Sequence, residues 1–198
     1  MADDARHGRG FSEIGGHPAL DLINTVEWRL SPSRFEEDLL DYEHVLRWAR
    51  QLRMLDVNDA DALLALARRH PADAQEEGAR VRRLREAIHA VLFEGADPET
   101  VVEEYRDAVS RGRLTRLGDN GVWEFSVDLA LPRRKIALQA FDLLTRADLS
   151  RLGQCQDAEC GWVFLDSSPR QNRRWCVSAD CGNRNRVRDF YDRSRAAK

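Results

Sequence analysis

The four cysteines of this chain all lie near its C-terminus, in two pairs with the same spacing. Cys155 and Cys160 are separated by four residues, and so are Cys176 and Cys181. A zinc ion takes about four soft ligands in a tetrahedron, and two cysteines joined by a short loop supply two of them at a small cost in chain entropy. Four thiolates leave no position for water, so the spacing predicts one structural Zn2+ rather than a catalytic ion.

The rest of the sequence favours a metal site over two disulfide bonds. No apolar run approaches the roughly 18 residues of a membrane span, and the opening MADDARHGRG lacks the apolar stretch of a secretory signal. We therefore expect a cytoplasmic protein without membrane contact, and thiols stay reduced in that compartment. Disulfides, an iron–sulfur cluster and a redox switch that ejects the metal are the alternatives.

Length and periodicity predict one helical domain followed by a small zinc module. The chain has 198 residues, 42% hydrophobic and 33% charged, which is a globular composition. We place the helical domain at residues 1–150 and the module at 151–198. Helix starts are predicted from apolar periodicity, Pro and capping residues at Pro18, Asp41, Asn58 or Asp59, Pro71, Pro98 and Pro132. Between the last two helices, strand-like residues on both sides of Asn120-Gly121 predict a β-hairpin that turns there.

The zinc module has the order of a treble-clef finger. A short β-like run over 161–166 follows the first cysteine pair, and a helix follows the second. We expect Cys181 in the first turn of that helix, where free N–H groups favour a thiolate. Val187, Phe190 and Tyr191 are predicted to form the packing side of the helix. The predicted fold class is thus mainly α, with one hairpin in the helical domain and a treble-clef-like module.

Positive charge is concentrated at the end of the chain. Residues 170–198 hold nine Arg or Lys against three Asp, a net charge of +6, while the preceding 169 residues carry −9. A basic end on an acidic body predicts a polyanionic partner for that end. The candidate nucleic-acid contacts are Arg173, Arg174, Arg184, Arg186, Arg188 and Arg193. Two alternatives stay open: these arginines neutralise the −2 charge of a four-thiolate zinc site, or they bind an acidic protein.

The first predicted helix carries polar residues within an apolar surround. Asp21, Asn24 and Trp28 are candidates for lining a small-molecule pocket. The alternative is that Asp21 and Asn24 hydrogen-bond neighbouring loops or helix ends, as buried polar groups must. No nucleophile motif, phosphate loop or paired-carboxylate pattern stands out, so we expect no enzyme.

Several motifs together resemble a known family. Cys181-Gly182-Asn183-Arg184 is the sequence that names the CGNR zinc fingers, and Arg173-Arg174-Trp175-Cys176 is similar to the same pattern. The segment Gly16-His17-Pro18-Ala19-Leu20-Asp21-Leu22-Ile23-Asn24-Thr25 resembles the start of the ABATE domain, which precedes that finger.

The resemblance implies a function. Such proteins are regarded as stress-induced transcription regulators of bacteria. It implies a zinc finger that contacts DNA and an N-terminal domain that senses a small-molecule effector. A homodimer is a separate hypothesis. The alternative function is a zinc-stapled module that binds a protein or a small molecule and does not touch DNA.

Overall fold

A computed structural model describes residues 10–118 and 120–196 of the chain. Contacts between residues group the chain into two compact units, and each unit contains two segments that are separated in the sequence. Of the described residues, the helical unit contains Gly10, Phe11 and Leu39–Ala147, and the finger unit contains Ser12–Asp38 together with residues 148–196. The domain boundary after residue 150 stays a prediction, but the segment Ser12–Asp38 packs with the cysteines rather than with the helices of the helical unit.

Along the chain, the first elements belong to the finger unit, the middle ones to the helical unit, and the last ones to the finger unit again. The helices are α1 (Pro18–Ile23), α2 (Tyr42–Gln51), α3 (Val57–Arg69), α4 (Pro71–Phe93), α5 (Glu99–Arg111), α6 (Leu131–Arg146) and α7 (Asn183–Ala196). The strands are β1 (Val26–Glu27), β2 (Glu36–Glu37), β3 (Arg113–Leu117), β4 (Asn120–Glu124), β5 (Leu152–Gln154) and β6 (Val163–Leu165). Each strand pairs only with its neighbour in this list, which gives three two-stranded antiparallel sheets among the described residues.

The helical unit is built by α2 to α6 around an apolar core. Trp48, Leu63, Ile88 and Leu143 are fully buried in it, one each from α2, α3, α4 and α6. The helix starts predicted at Pro18, Asp41, Pro71, Pro98 and Pro132 are confirmed to within a residue.

The predicted cap of α3 is wrong. Asp56, rather than Asn58 or Asp59, caps this helix, because its carboxylate accepts the N–H of Asp59 at 2.8 Å. The helix therefore begins at Val57, one residue before the first of the two predicted caps.

The predicted hairpin is present as β3 and β4, but its turn lies earlier than predicted. Leu117 pairs with Asn120, so Asn120-Gly121 belongs to β4 and does not form the turn. Gly118 comes directly after β3 with φ 59°, a left-handed conformation that glycine adopts without strain. A glycine immediately after the strand therefore decided the turn in place of the Asn-Gly pair.

The helical unit also contains a cavity of about 400 Å3 between α2, α3 and α4. Leu64, Ala67, Arg68, Ala74 and Arg82 are among the residues that line it. None of the three residues predicted to line a small-molecule pocket belongs to this cavity.

In the finger unit, α1 and the β1–β2 pair join the β5–β6 hairpin and α7. Val26 pairs with Glu37 and Leu152 with Leu165. The β1–β2 pair is not predicted by the sequence pattern, because two-residue strands show no period-2 alternation. The fold class is confirmed: the protein is mainly helical, with small hairpins and a C-terminal four-cysteine module.

The predicted packing side of α7 is wrong. Val187, Phe190 and Tyr191 are 47%, 61% and 60% exposed. All side chains described from Arg186 to Arg195 are exposed, whereas those of Arg184 and Asn185 in the first turn of α7 are partly buried. Amphipathic spacing alone does not show whether a partner surface exists. None of the helices in the described residues has both the length and the apolar character that a membrane span needs.

Candidate metal centre

The four cysteines converge on one point, as their spacing predicts. Their sulfur atoms all lie within 4.8 Å of one another, and all four residues are buried. The Sγ atoms of Cys160 and Cys176 are 3.7 Å apart, and those of Cys176 and Cys181 are 3.4 Å apart. A zinc tetrahedron with Zn–S bonds of about 2.3 Å has S–S edges of about 3.8 Å. The sulfur cluster therefore has the size that one zinc ion requires.

The thiols also have the chemistry of a cation site. Hydrogen bonds from Cys160 and Cys176 lower the pKa of Cys155, and the same bond to Cys155 raises the pKa of Cys160. Without a cation, buried thiols that hydrogen-bond to one another form few thiolates, because burial disfavours the charged form. A bound divalent cation allows all four to be thiolates, and it would supply structure rather than a reactive position.

The first cysteine pair is held by the β5–β6 hairpin. Cys155 follows β5 directly and donates its backbone N–H to the carbonyl of Trp162 at 2.8 Å. Cys160 donates its N–H to the carbonyl of Asp157 at 3.2 Å, which closes the tight turn between the two ligands. A hairpin with a tight turn thus positions two sulfur atoms side by side.

The second pair is positioned by a π-type turn at Ser178–Gly182. Cys181 lies in this turn, two residues before α7 begins at Asn183, rather than in the first turn of the helix as predicted. Gly182 has no room for a side chain, because a Cβ atom there would lie 2.9 Å from the indole of Trp175. This contact explains the glycine of the Cys-Gly-Asn-Arg motif. Asn183 is exposed, and nothing in the structure explains it.

Arg184 serves the metal centre. Its guanidinium donates to the Sγ of Cys181 at 2.9 Å, to Asp157 at 3.0 Å and to Asp180 at 3.3 Å. Its placement supports the alternative in which arginines neutralise the zinc site. It is a poor candidate for DNA contact because these groups already occupy its donors.

Asp157 is a site residue that the sequence analysis missed. Its side chain is fully buried and accepts from the N–H of Glu159, from Arg184 and from Asn185. Burial by itself would raise the pKa of Asp157, but the Glu159 N–H and the Arg184 guanidinium lower it below its usual range. The signal that could have found it is its position between the two metal ligands Cys155 and Cys160.

Arg173 also has a structural role. It donates to the carbonyls of Cys176 at 2.7 Å and Ile14 at 3.3 Å, and its guanidinium lies 4.0 Å from the ring centre of Phe164. The backbone N–H of Arg173 donates to Asp166, a second buried acid that the sequence analysis missed. Arg173 therefore ties the second cysteine pair to the start of the finger unit.

Asn24 and Asp21 have structural partners in the finger unit. The amide of Asn24 both donates to the carbonyl of Val163 at 2.9 Å and accepts its N–H at 2.8 Å, which joins the end of α1 to β6. Asp21 accepts the N–H of Gly15 at 2.7 Å. Burial raises the pKa of Asp21 to about 6, although the Gly15 bond opposes this shift and Glu13 adds to it. These contacts support the alternative role, and their part in ligand binding stays a prediction.

Two arginines lie against the ring of Trp28. Its ring centre is 3.3 Å from the guanidinium carbon of Arg34 and 4.5 Å from that of Arg184. Trp28 has φ 53°, a conformation that a bulky residue adopts only when its surroundings hold it there. These contacts link the N-terminal segment to the arginine that contacts Cys181, so Trp28 has two structural partners.

The remaining candidate arginines are exposed. Arg174 donates to Gln156, Arg186 makes one long bond of 3.4 Å to the carbonyl of Ser178, and Arg188 lies 3.7 Å from Glu159. For Arg193 the described residues show no ion pair. Four of the six predicted nucleic-acid contacts thus keep guanidinium groups available to solvent.

Two family models match the chain. The model of the CGNR zinc finger matches residues 151–194. The ABATE model, described as "Putative stress-induced transcription regulator", matches residues 16–147, more than half of the chain. Among curated proteins, none matches it. With four clustered cysteines at the position of the finger, the chain belongs to the ABATE family and carries a C-terminal CGNR zinc finger that holds one structural zinc ion.

Proposed function

We propose that this protein regulates transcription by binding DNA through α7, with zinc as the structural ion that presents the helix. The observation that carries the proposal is that some arginines have partners inside the finger and others are exposed. Arg173 and Arg184 are used inside the finger, whereas Arg186, Arg188, Arg193 and Arg195 lie exposed along α7. An exposed helix with four guanidinium groups suits a phosphate backbone.

The charge of the finger supports the same proposal. A zinc ion with four thiolates has a net charge of −2, and Arg173 and Arg184 offset it within the finger. The arginines of α7 beyond Arg184 therefore need not serve the metal centre. We further propose that the protein acts in a stress response, as the family description suggests. We also propose that it is a bacterial, cytoplasmic protein without enzymatic activity.

The salt dependence of binding tests the proposal. Four phosphate contacts predict a slope of about −3.6 for log K against log salt concentration. Replacing two arginines, Arg186→Ala with Arg193→Ala, should reduce the slope to about −1.8 and weaken binding to every duplex. The measurement is fluorescence anisotropy with labelled 20-bp duplexes of random sequence, at several salt concentrations.

A matched control separates this effect from net charge. The double variant Arg68→Ala with Arg69→Ala removes the same charge from exposed positions of α3 in the helical unit, and it should keep the wild-type slope. A wild-type protein with a flat salt response, or an α7 double variant that behaves like the control, would remove the DNA proposal.

The rival function is a protein-interaction module. Trp162 and Trp175 pack against the cysteine cluster, whereas Phe190 and Tyr191 are largely exposed. An interface would therefore have to use α7 as well. Sensing of a small molecule stays a prediction, and the described cavity between α2, α3 and α4 is the place in the helical unit that favours it.

A further inference from the structure

An apolar ridge runs along α7 and has no partner among the described residues. Val187, Phe190 and Tyr191 are three and four residues apart, a spacing that places them on one face of a helix. They are 47%, 61% and 60% exposed, and the rings of Phe190 and Tyr191 meet edge to face at 5.9 Å. Neighbouring large apolar side chains that are exposed together lower solubility and often mark a binding surface, so we expect the ridge to bind a partner.

Charged residues are sorted around this ridge. At about 100° per residue, Arg186 and Arg193 fall on one side of the ridge and Arg188 and Arg195 on the other. The two acids of the helix, Asp189 and Asp192, fall on the opposite face. The ridge thus has positive charge along both of its sides and negative charge only behind it.

The finger holds α7 by its first turn, before the ridge begins at Val187. Asn185 donates to Asp157 at 2.7 Å and to the carbonyl of Cys181 at 2.9 Å, and Arg184 bonds to the same carboxylate. At about 100° per residue, Asn185 falls behind the ridge, whereas Arg184 falls close to the line of Tyr191 but about two turns before it. The apolar ridge is therefore left open to solvent along its whole length.

The charge pattern selects among occupants. A second copy of the chain would bring arginine rows against arginine rows, which is unfavourable. A duplex groove offers the complementary pattern, with a phosphate row on each side and base edges between. The major groove is about 12 Å wide, and an α-helix with its side chains is about 10–12 Å across. The thymine methyl group is the main apolar feature of base edges in that groove.

We infer that Val187, Phe190 and Tyr191 form the part of α7 that enters the major groove of double-stranded DNA and contacts thymine methyl groups. The flanking arginines then bind phosphates of the two strands. The inference rests on the proposed function, and it adds the source of base preference: the protein favours duplexes rich in thymine at the contacted positions.

Removing the methyl groups from the DNA tests this directly. The probe is a 20-bp alternating dA·dT duplex, compared with the same duplex carrying deoxyuridine, which lacks only the C5 methyl group. For the zinc-loaded wild type, affinity should fall about fourfold for each methyl group contacted. The triple variant Val187→Ala, Phe190→Ala, Tyr191→Ala should bind both duplexes equally, with the wild-type salt slope. All three positions are exposed, and circular dichroism with zinc content checks the fold.

Each outcome has one meaning. Equal wild-type affinity for the two duplexes, or an unchanged preference in the triple variant, overturns the inference while salt-dependent binding leaves the proposed function standing. A wild type that binds neither duplex removes the proposed function and the inference with it. A wild-type dimer in sedimentation that the triple variant loses would assign the ridge to a second copy and overturn the inference.

Discussion

At the residue scale, the same type of side chain has opposite roles a few positions apart. Arg184 contacts the Cys181 sulfur and two carboxylates, while Arg186 and Arg193 are exposed. The difference follows from their positions on α7, because only the first turn reaches Asp157. A guanidinium beside a buried carboxylate and a thiolate gains charge-assisted hydrogen bonds that an exposed one lacks. The basic charge of a segment therefore overstates what is available to a partner.

Asp21 gives a prediction at the same scale. Burial raises the pKa of its carboxyl to about 6 from the ordinary 3.8, so between these values the folded protein binds more protons than the unfolded chain. Stability contributed by this group is present at low pH and is lost as pH rises towards and through 6. Relative to that of Asp21→Asn, the free energy of unfolding of the wild type should rise by about 1 kcal/mol on going from pH 8 to pH 5.5.

The measurement is urea unfolding of both zinc-loaded proteins at several pH values. The effect of pH on zinc binding is common to both and cancels in the difference. Asp61→Asn, an exposed acid of α3, is the control and should show no such trend. A constant difference between wild type and Asp21→Asn across this range would show that Asp21 has an ordinary pKa.

At the scale of elements, Asn24 joins α1 to β6. A helix of six residues is too short to be stable by itself, so α1 depends on contacts outside it. The Asn24 amide is 2% exposed and satisfies both backbone groups of Val163. These two hydrogen bonds connect the N-terminal motif to the strand that follows the first cysteine pair.

Replacing Asn24 should therefore destabilise the finger unit. Asn24→Ala leaves the N–H and the carbonyl of Val163 without this partner in a buried place, at a cost of about 2–4 kcal/mol. Chemical denaturation of the zinc-loaded protein measures the loss. Asn172→Ala, at an exposed position of the same unit, should change the free energy of unfolding by less than about 0.5 kcal/mol. A similarly small change for Asn24→Ala would contradict the role of this amide.

At the scale of the whole molecule, the family match and the compact units divide the chain differently. The ABATE match covers residues 16–147, yet its segment up to Asp38 packs with the zinc finger. Several contacts tie the segment there: Trp162 donates to the carbonyl of Val26, Arg29 donates to the carbonyl of Cys160, and Leu165 donates to that of Gly15. The zinc site and the segment Ser12–Asp38 are therefore parts of one compact unit.

Zinc removal should unfold this unit in both of its segments. Metal binding contributes on the order of 10 kcal/mol to small zinc modules. The apolar packing around the cysteines is limited to a few partly buried side chains such as Trp162 and Trp175. With a chelator, amides of α1 should lose hydrogen-exchange protection together with those of β5 and β6, while α2 to α6 keep theirs. Hydrogen exchange with mass spectrometry measures this, and added zinc should restore the protection. Retained protection in α1 without zinc would refute the shared unit.

Local chemistry in the sequence determined the metal site, the helices and the basic end. Cysteine spacing, Pro and Asp at helix starts, and apolar periodicity act over a few residues, so the chain order alone reveals them. Tertiary structure decided which arginines are free, because Asp157 and Phe164 reach Arg184 and Arg173 only after folding. It also decided that Asn24 and Asp21 bond to backbone of the finger unit, and that Val187, Phe190 and Tyr191 face solvent. A side chain's partner depends on distances between remote segments, and those distances are set by packing.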